Sequence, residues 1–496
     1  MRVLVLMLIS LLSSGLSAQV PGRWEGPLAA GGMSLQVLFD IRQTAPDQFS
    51  AALSVPAQNA VAVPFSTVRL AGDSLLLYGP GIVYAGLLNA GRTELSGHWR
   101  QNGRSFPLLL KRTGDATVLV RPQEPRPPFP YVSEDVTYSN RDQTVRLGAT
   151  LTKPAGRGPS SPGQSSPEPS SREPSSREPS SPEPFPVVIL ISGSGQQDRD
   201  QSLFGHKPFL VLADYLTRRG LAVLRVDDRG VGQSTGPLTN ATSADFAQDV
   251  MTSLDYLKTR PDLDPKRIGL IGHSEGGMIA PMVAAQRPND VAFIVSLAGP
   301  GEPISDLMAR QNSAGLKAAG ISPRLADSYA DLYKKLARIA VSAPDTAAAY
   351  KQATADFAEW QALMPPLEVY GVTQVNNDAS RARFVRQLVN AFRQPWMRYF
   401  LAYVPAGDWA KVRCPVLALN GEKDYQVDAQ ANLSAIATAL KTGGNARVQT
   451  QVLPGLNHLF QHCTTCTLAE YAQLTETFAP EALQRIGDWL TEQARP

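Results

Sequence analysis

Between residues 187 and 297 the chain alternates short, almost wholly apolar runs that read as strands (187–191, 222–226, 268–272, 292–297) with longer runs that read as helices (209–219, 246–258, 276–286). Strands apolar on both sides need cover on both faces, and intervening helices supply it, so this stretch specifies a parallel sheet between two helical layers. The rhythm breaks over 301–410, a helical stretch carrying Trp360, Trp396 and Trp409, and resumes with strands at 416–419 and 448–453. A helical insertion over the carboxyl edge of the sheet, a cap, is the simplest arrangement of that break.

The rest of the chain has a different grammar. Its 496 residues, 43% of them hydrophobic, are enough for two or three domains with a sizeable core. Over 22–112 the pattern is that of short strands: Met33, Leu35, Val37, Phe39 and Ile41 alternate with other residues, and glycine-containing turns follow closely. A small all-β module is expected at 19–115, with Trp24 and Trp99 as ordinary core tryptophans. Residues 156–184 are rich in proline and serine and repeat Glu-Pro-Ser-Ser-Arg from Glu168 and Glu173. That composition buries no apolar area, so an extended, solvated surface insertion is expected between strands at 146–151 and 187–191.

Residues 1–18, with Arg2, an apolar run from Val3 to Leu12 and small residues up to Ala18, have the layout of a signal peptide. The run is about ten residues where a membrane span needs roughly 20. Export, to a periplasm or the outside, is therefore the expectation, and no later stretch is long and apolar enough to span a bilayer. A net charge of +3, with 47 basic against 44 acidic residues along the chain, gives no basic stripe and argues against a nucleic-acid partner. Three cysteines, Cys414, Cys463 and Cys466, are too few for a disulfide scaffold. A bridge between Cys463 and Cys466 is sterically open, whereas a single such pair is a poor zinc site.

Gly272-His273-Ser274-Glu275-Gly276 follows an apolar strand and precedes a helix. This is the setting of a nucleophile elbow, in which a strained turn lifts a serine hydroxyl above the sheet and flanking glycines leave room for nearby backbone. A serine hydroxyl is a weak nucleophile at neutral pH, so it needs a base within reach and a carboxylate to hold that base in one tautomer. His458 follows the last strand, where such a fold delivers its base, with His462 as its rival one helical turn on. Asp424 lies on the turn after the strand at 416–419, with Asp428 as the alternative. The chain order Ser274, Asp424, His458 suits this arrangement. Two backbone donors must face the oxyanion: Glu275 N–H supplies one, and Ser194 N–H, in the small-residue turn Ser192-Gly193-Ser194-Gly195, is the candidate for the other, with Gly195 N–H as the alternative. The loop Asp227-Asp228-Arg229-Gly230 reads as structural bracing, with an internal Arg-Asp pair.

Together, the run Ile191-Ser192-Gly193-Ser194-Gly195-Gln196-Gln197-Asp198-Arg199-Asp200, the loop Asp227 to Gly236, and the runs Gly272-His273-Ser274-Glu275-Gly276-Gly277, Gly421-Glu422-Lys423-Asp424-Tyr425-Gln426-Val427 and Asn457-His458-Leu459-Phe460-Gln461 resemble the EstD-type bacterial carboxylesterases, α/β-hydrolases of the serine-aminopeptidase-like branch. The resemblance implies an α/β-hydrolase sheet (131–300 and 411–496) with a helical cap (301–410) and a separate β module. It implies hydrolysis of short-chain acyl esters through Ser274, Asp424 and His458, on small-molecule substrates and with no cofactor, metal or obligate protein partner. The alternative on the same triad is an aminopeptidase, with Glu275 or Glu359 of the cap to receive a substrate amine. The Pro/Ser repeat departs from the family pattern, away from every matched motif.

Overall fold

The computed structural model describes residues 20–30, 33–45, 48–55, 60–79, 81–101, 104–114, 121–155 and 183–494. The candidate signal peptide, and all but the last two residues of the 156–184 insertion, lie outside the described residues. The chain divides into two compact units between Arg121 and Pro122, with Thr467–Thr475 grouped with the first.

The first unit is the β module. Its described strands are β1 (Gly22–Ala30), β2 (Met33–Ala45), β3 (Gln48–Val55), β4 (Ala60–Pro64), β5 (Thr67–Ala71), β6 (Ser74–Gly79), β7 (Ile82–Leu88), β8 (Glu94–Gln101) and β9 (Arg104–Gly114). They form one antiparallel sheet in the order β4-β3-β2-β1-β9-β8-β7-β6-β5, curled into a half-barrel. The two-residue period does its expected work: Val37, Phe39 and Ile41 point inward, and Trp24 stands opposite Phe39 on the neighbouring strand. Tyr84 meets Phe39 edge-on at 5.1 Å, and Trp99 lies opposite Tyr84. Both tryptophans are core residues, Trp24 donating its indole N–H to the Val20 carbonyl at 3.0 Å.

The second unit holds the α/β-hydrolase sheet. Its strands are β10 (Tyr131–Ser139), β11 (Arg146–Pro154), β12 (Phe185–Ile191), β13 (Ala222–Val226), β14 (Leu263–His273), β15 (Phe293–Leu297), β16 (Val416–Gly421) and β17 (Val448–Leu453), in the order β10-β11-β13-β12-β14-β15-β16-β17. From β13 to β17 every pairing is parallel, while β10 and β11 add an antiparallel edge. The connections carry α1 (Pro208–Arg218), α2 (Ser243–Lys258) and α3 (Glu275–Gln286).

Alternation along β12 shows why the strands are apolar throughout. Val187, Ile189 and Ile191 enter the core beneath α2 and α3, whereas Val188 and Leu190 enter the core on the α1 side. Two boundaries differ from the sequence expectation. Strand β14 begins at Leu263, ahead of residue 268, because Leu263 pairs with Phe185 across a register shift. Helix α2 begins at Ser243 rather than 246, since Thr242 and Asp245 form a capping box that satisfies its first N–H groups.

Between β15 and β16 the chain leaves the sheet to build the cap: α4 (Ile304–Ala318), α5 (Pro323–Ser342), α6 (Thr346–Ala362), α7 (Pro366–Thr373), α8 (Asp378–Phe392), α9 (Pro395–Ala402) and α10 (Ala406–Trp409). The cap has a core of its own, in which Tyr333, Leu336, Phe357, Trp360 and Phe392 pack together. Its two ends meet, Ile304 N–H donating to the Tyr403 carbonyl at 3.1 Å. Trp409 belongs to the sheet core instead, fully buried. After β16 come α11 (Ala429–Thr442), the short α12 (Leu468–Tyr471) of the first unit, and α13 (Pro480–Gln493). Among the described residues no helix is long and apolar enough to cross a membrane.

Candidate active site

Ser274 lies in the turn between β14 and α3 with φ 54° and ψ −118°, a conformation that costs an L-residue about 1–3 kcal/mol and persists only where the surroundings enforce it. Two bonds do so here: Ser274 N–H donates to Leu297 O at 2.8 Å, and Gly277 N–H to Ser274 O at 2.9 Å. Gly276 permits the tight crossing behind the turn, since a Cβ there would lie 2.1 Å from the Ile191 carbonyl oxygen. Ser274 remains partly exposed, at the positive end of α3.

Asp424 stands on the turn after β16, its side chain fully buried. Its Oδ1 accepts Gln426 N–H and Val427 N–H at 2.8 and 2.9 Å, and its Oδ2 accepts Asn420 Nδ2 at 3.1 Å and His458 Nδ1 at 2.7 Å. A carboxylate only accepts, so His458 carries its proton on Nδ1 and keeps the Nε2 lone pair. The loop bearing His458 is shaped by buried Asn457, whose Oδ1 accepts Leu459 N–H and Gln461 N–H. Lys423 N–H joins the two loops by donating to Leu456 O at 2.9 Å.

The rival residues are engaged elsewhere. Asp428 caps α11 by accepting Ala431 N–H at 2.8 Å. His462 is held by Glu476 and Glu481, each at 3.0 Å.

His273, beside the serine, bonds its Nε2 to the His458 carbonyl at 2.9 Å, and its Nδ1 to Gln201 Nε2 at 2.7 Å. A carbonyl only accepts, so the proton is on Nε2. Burial, and secondly the neighbouring His458, depress the His273 imidazole to about 3, so it stays neutral.

The turn after β12 runs alongside: a Cβ on Gly193 would stand 3.2 Å from the Ser274 Cβ. Asp228 clamps this turn at both ends, accepting Ser192 Oγ at 2.6 Å and Gln197 N–H at 2.9 Å. A cavity of about 40 Å³ beside it is lined by Ile189, Ile191, Val226, Phe246 and Ile279 among others. In that surrounding, burial pushes the Asp228 carboxyl up to about 7, with Glu275 and Asp249 adding to the rise and its two donors opposing it. The loop arginine does not pair internally as expected. Arg229 forks onto Asp249 of α2 at 2.7 and 2.8 Å, and Asp227 is taken by Arg199 at 2.7 Å. Both pairs brace the loop from outside.

Glu275, foreseen for its backbone N–H, has a second feature that sequence reasoning missed: its buried carboxyl accepts Ser243 Oγ at 2.6 Å and Trp396 Nε1 of the cap at 2.9 Å. Nothing in the local pattern marks Trp396, because its partner is fixed only by how the cap seats. Beyond His458, Cys463 and Cys466 form a disulfide, and Cys414 is a buried thiol. Among the described residues no cluster of histidine, cysteine, aspartate and glutamate could hold a metal ion.

Known proteins resemble parts of the chain. Over 127 residues the chain is 32% identical to the esterase EstD of Thermotoga maritima, a stretch covering 26% of this chain and 30% of that protein. Over 79 residues it is 39% identical to the thiohydrolase apmlB of Arthrinium phaeospermum, covering 16% of this chain and 25% of that one. The chain thus spans less than a third of the length of either relative. Among solved structures, the Pyrococcus furiosus esterase Pf2001 superposes with a TM-score of 0.40 at 15% identity, over 74% of this chain and 92% of that one. The model of the alpha/beta hydrolase family matches residues 188–466, more than half of the chain, and the chain belongs to that family.

Proposed function

We propose that the protein is an exported serine carboxylesterase of the EstD type that hydrolyses short-chain acyl esters of small molecules. The observation that carries this reading is the 2.7 Å bond between His458 Nδ1 and Asp424 Oδ2, on a loop tied to the residue next to Ser274. With Nδ1 taken by the carboxylate, Nε2 is the ring nitrogen left to act as base. Ser274 Oγ attacks the ester carbonyl while Nε2 takes its proton, and Asp424 stabilises the imidazolium that forms. The negative charge on the carbonyl oxygen gathers at Glu275 N–H and Ser194 N–H, donors each worth about 3 kcal/mol of transition-state stabilisation. The alkoxide leaves with the proton from Nε2. Water, deprotonated by the same nitrogen, then releases the acid from the acyl-enzyme. No metal or cofactor takes part in this sequence.

The aminopeptidase reading is weaker on this structure. It needs a free acid to receive an ammonium, but Glu275 already accepts Ser243 and Trp396, and Glu359 lies by Lys335. The esterase name of the Thermotoga relative points the same way. The test is a rate panel of p-nitrophenyl acetate, butyrate and octanoate against alanine and proline p-nitroanilides, with wild type and Ser274→Ala. Short esters turned over by wild type alone are the expected result; faster anilide cleavage overturns the ester assignment, and an inert wild type overturns the enzyme.

A further inference from the structure

Glu275 is 2% exposed, and its carboxyl gathers donors from two separate elements. Ser243 reaches it from the start of α2 and Trp396 from the first turn of α9, both onto Oε1. Burying a carboxyl is costly, and an apolar side chain would fill the same space without that cost. What the carboxyl offers that an apolar group cannot is a common acceptor for parts of the molecule that are otherwise independent.

One of those parts is the cap, and the acceptor they share belongs to the residue after Ser274, whose backbone holds one of the two proposed oxyanion donors. Trp396 is the cap's own contact with this carboxyl. It stacks on Phe400 at 5.0 Å, and Phe400 is packed in the sheet core, so the indole is anchored to the sheet unit as well as to the carboxyl. We propose that the Glu275 side chain is a positioning group that couples cap helix α9 to the nucleophile elbow, so that the seating of Trp396 sets the aim of the Glu275 N–H. This rests on the serine-hydrolase reading and adds to it a role for the cap in the chemical step. A pocket wall would govern which acyl chain fits. A coupling of this kind governs how fast any acyl chain reacts, because oxyanion donors act only when aimed to within about 0.5 Å.

The test compares wild type, Trp396→Phe, Glu275→Gln, Glu275→Leu and the Trp396→Phe/Glu275→Leu double variant in the full chain. It measures kcat and KM on p-nitrophenyl acetate, butyrate and octanoate, the rate at which a fluorophosphonate labels Ser274, and Tm. Trp396→Phe keeps the ring and removes only the N–H. It is expected to lower kcat about tenfold on all three esters with KM within about twofold, and to slow labelling in parallel. Glu275→Gln, which retains an acceptor oxygen, is expected to lose less than Glu275→Leu, and the double variant no more than Glu275→Leu alone. A change in KM only, a change confined to the octanoate-to-acetate ratio, or additive losses in the double variant overturn the coupling. Should Glu275→Leu fail to fold, the Trp396→Phe kinetics decide alone. A wild type that fluorophosphonate does not label overturns the serine-hydrolase reading; a wild type and Trp396→Phe labelled at equal rates overturn the coupling only.

Discussion

His273 donates its Nε2–H to the backbone carbonyl of His458 at 2.9 Å, so the residue before the serine holds the loop of the histidine beside Asp424. Its other ring nitrogen, Nδ1, accepts Gln201 Nε2 only while the imidazole is neutral, and burial holds that imidazole at about 3. An unfolded chain takes up this proton near the ordinary histidine value of about 6.5, which the folded chain refuses. His273 therefore contributes stability above that value, and the contribution is lost as pH falls toward 3. His273→Gln should lose less stability than wild type between pH 6.5 and 3. Urea melts at stepped pH check this, and parallel curves would refute it.

Asp228 works with the opposite sign. Its carboxyl is pushed up to about 7 by burial, far above an unfolded aspartate at about 4, so the folded state binds a proton that the unfolded state has released. The resulting stability is full below about pH 4 and is lost as pH rises through 7. Asp228→Asn should flatten that decline. The same melts, subtracted from wild type, isolate the term, and a difference that does not vary with pH would count against it.

Asp424 and Asp428 separate by substitution. Asp424→Asn removes the acceptor that fixes the His458 tautomer and should lower kcat about 10⁴-fold with the fold intact. Asp428→Ala removes only the cap of α11, a loss of about 1 kcal/mol in denaturant melts with unchanged kcat. Reversed effects would exchange the two residues' roles.

The strained backbone at Ser274 makes a prediction about stability. Ser274→Ala should cut kcat about 10⁵- to 10⁶-fold. Ser274→Gly should be equally inactive but more stable than Ser274→Ala by about 1 kcal/mol, because glycine tolerates φ 54° and the strain it relieves exceeds its extra chain entropy. Chemical denaturation of the two variants measures the difference.

The sheet and cap were legible because their signals are local: β12, β13 and β15 are bounded by turn residues and almost wholly apolar, and the break after β15 marks the insertion. Strand β10 was not foreseen. It is an edge strand with Glu134 and Asp135 at its centre, and its pairing with β11 alone makes it a strand. For the site, spacing offered two acids and two histidines each four residues apart. Only the folded chain shows Asp428 spent on a helix N-terminus and His462 on two glutamates. Trp396, Gln201 and the clamp role of Asp228 were invisible, because each depends on a partner distant in sequence.

The bond between Ile304 and Tyr403 closes the stem of the cap where it leaves and re-enters between neighbouring parallel strands. A segment whose ends already touch imposes little loop-closure cost on the chain that hosts it, whatever its length. The sheet can therefore keep its register while the inserted helices are lengthened, shortened or replaced. The cap is in that sense a cassette, one contiguous piece seated on the sheet unit through contacts such as that of Trp396 with the buried acid after Ser274.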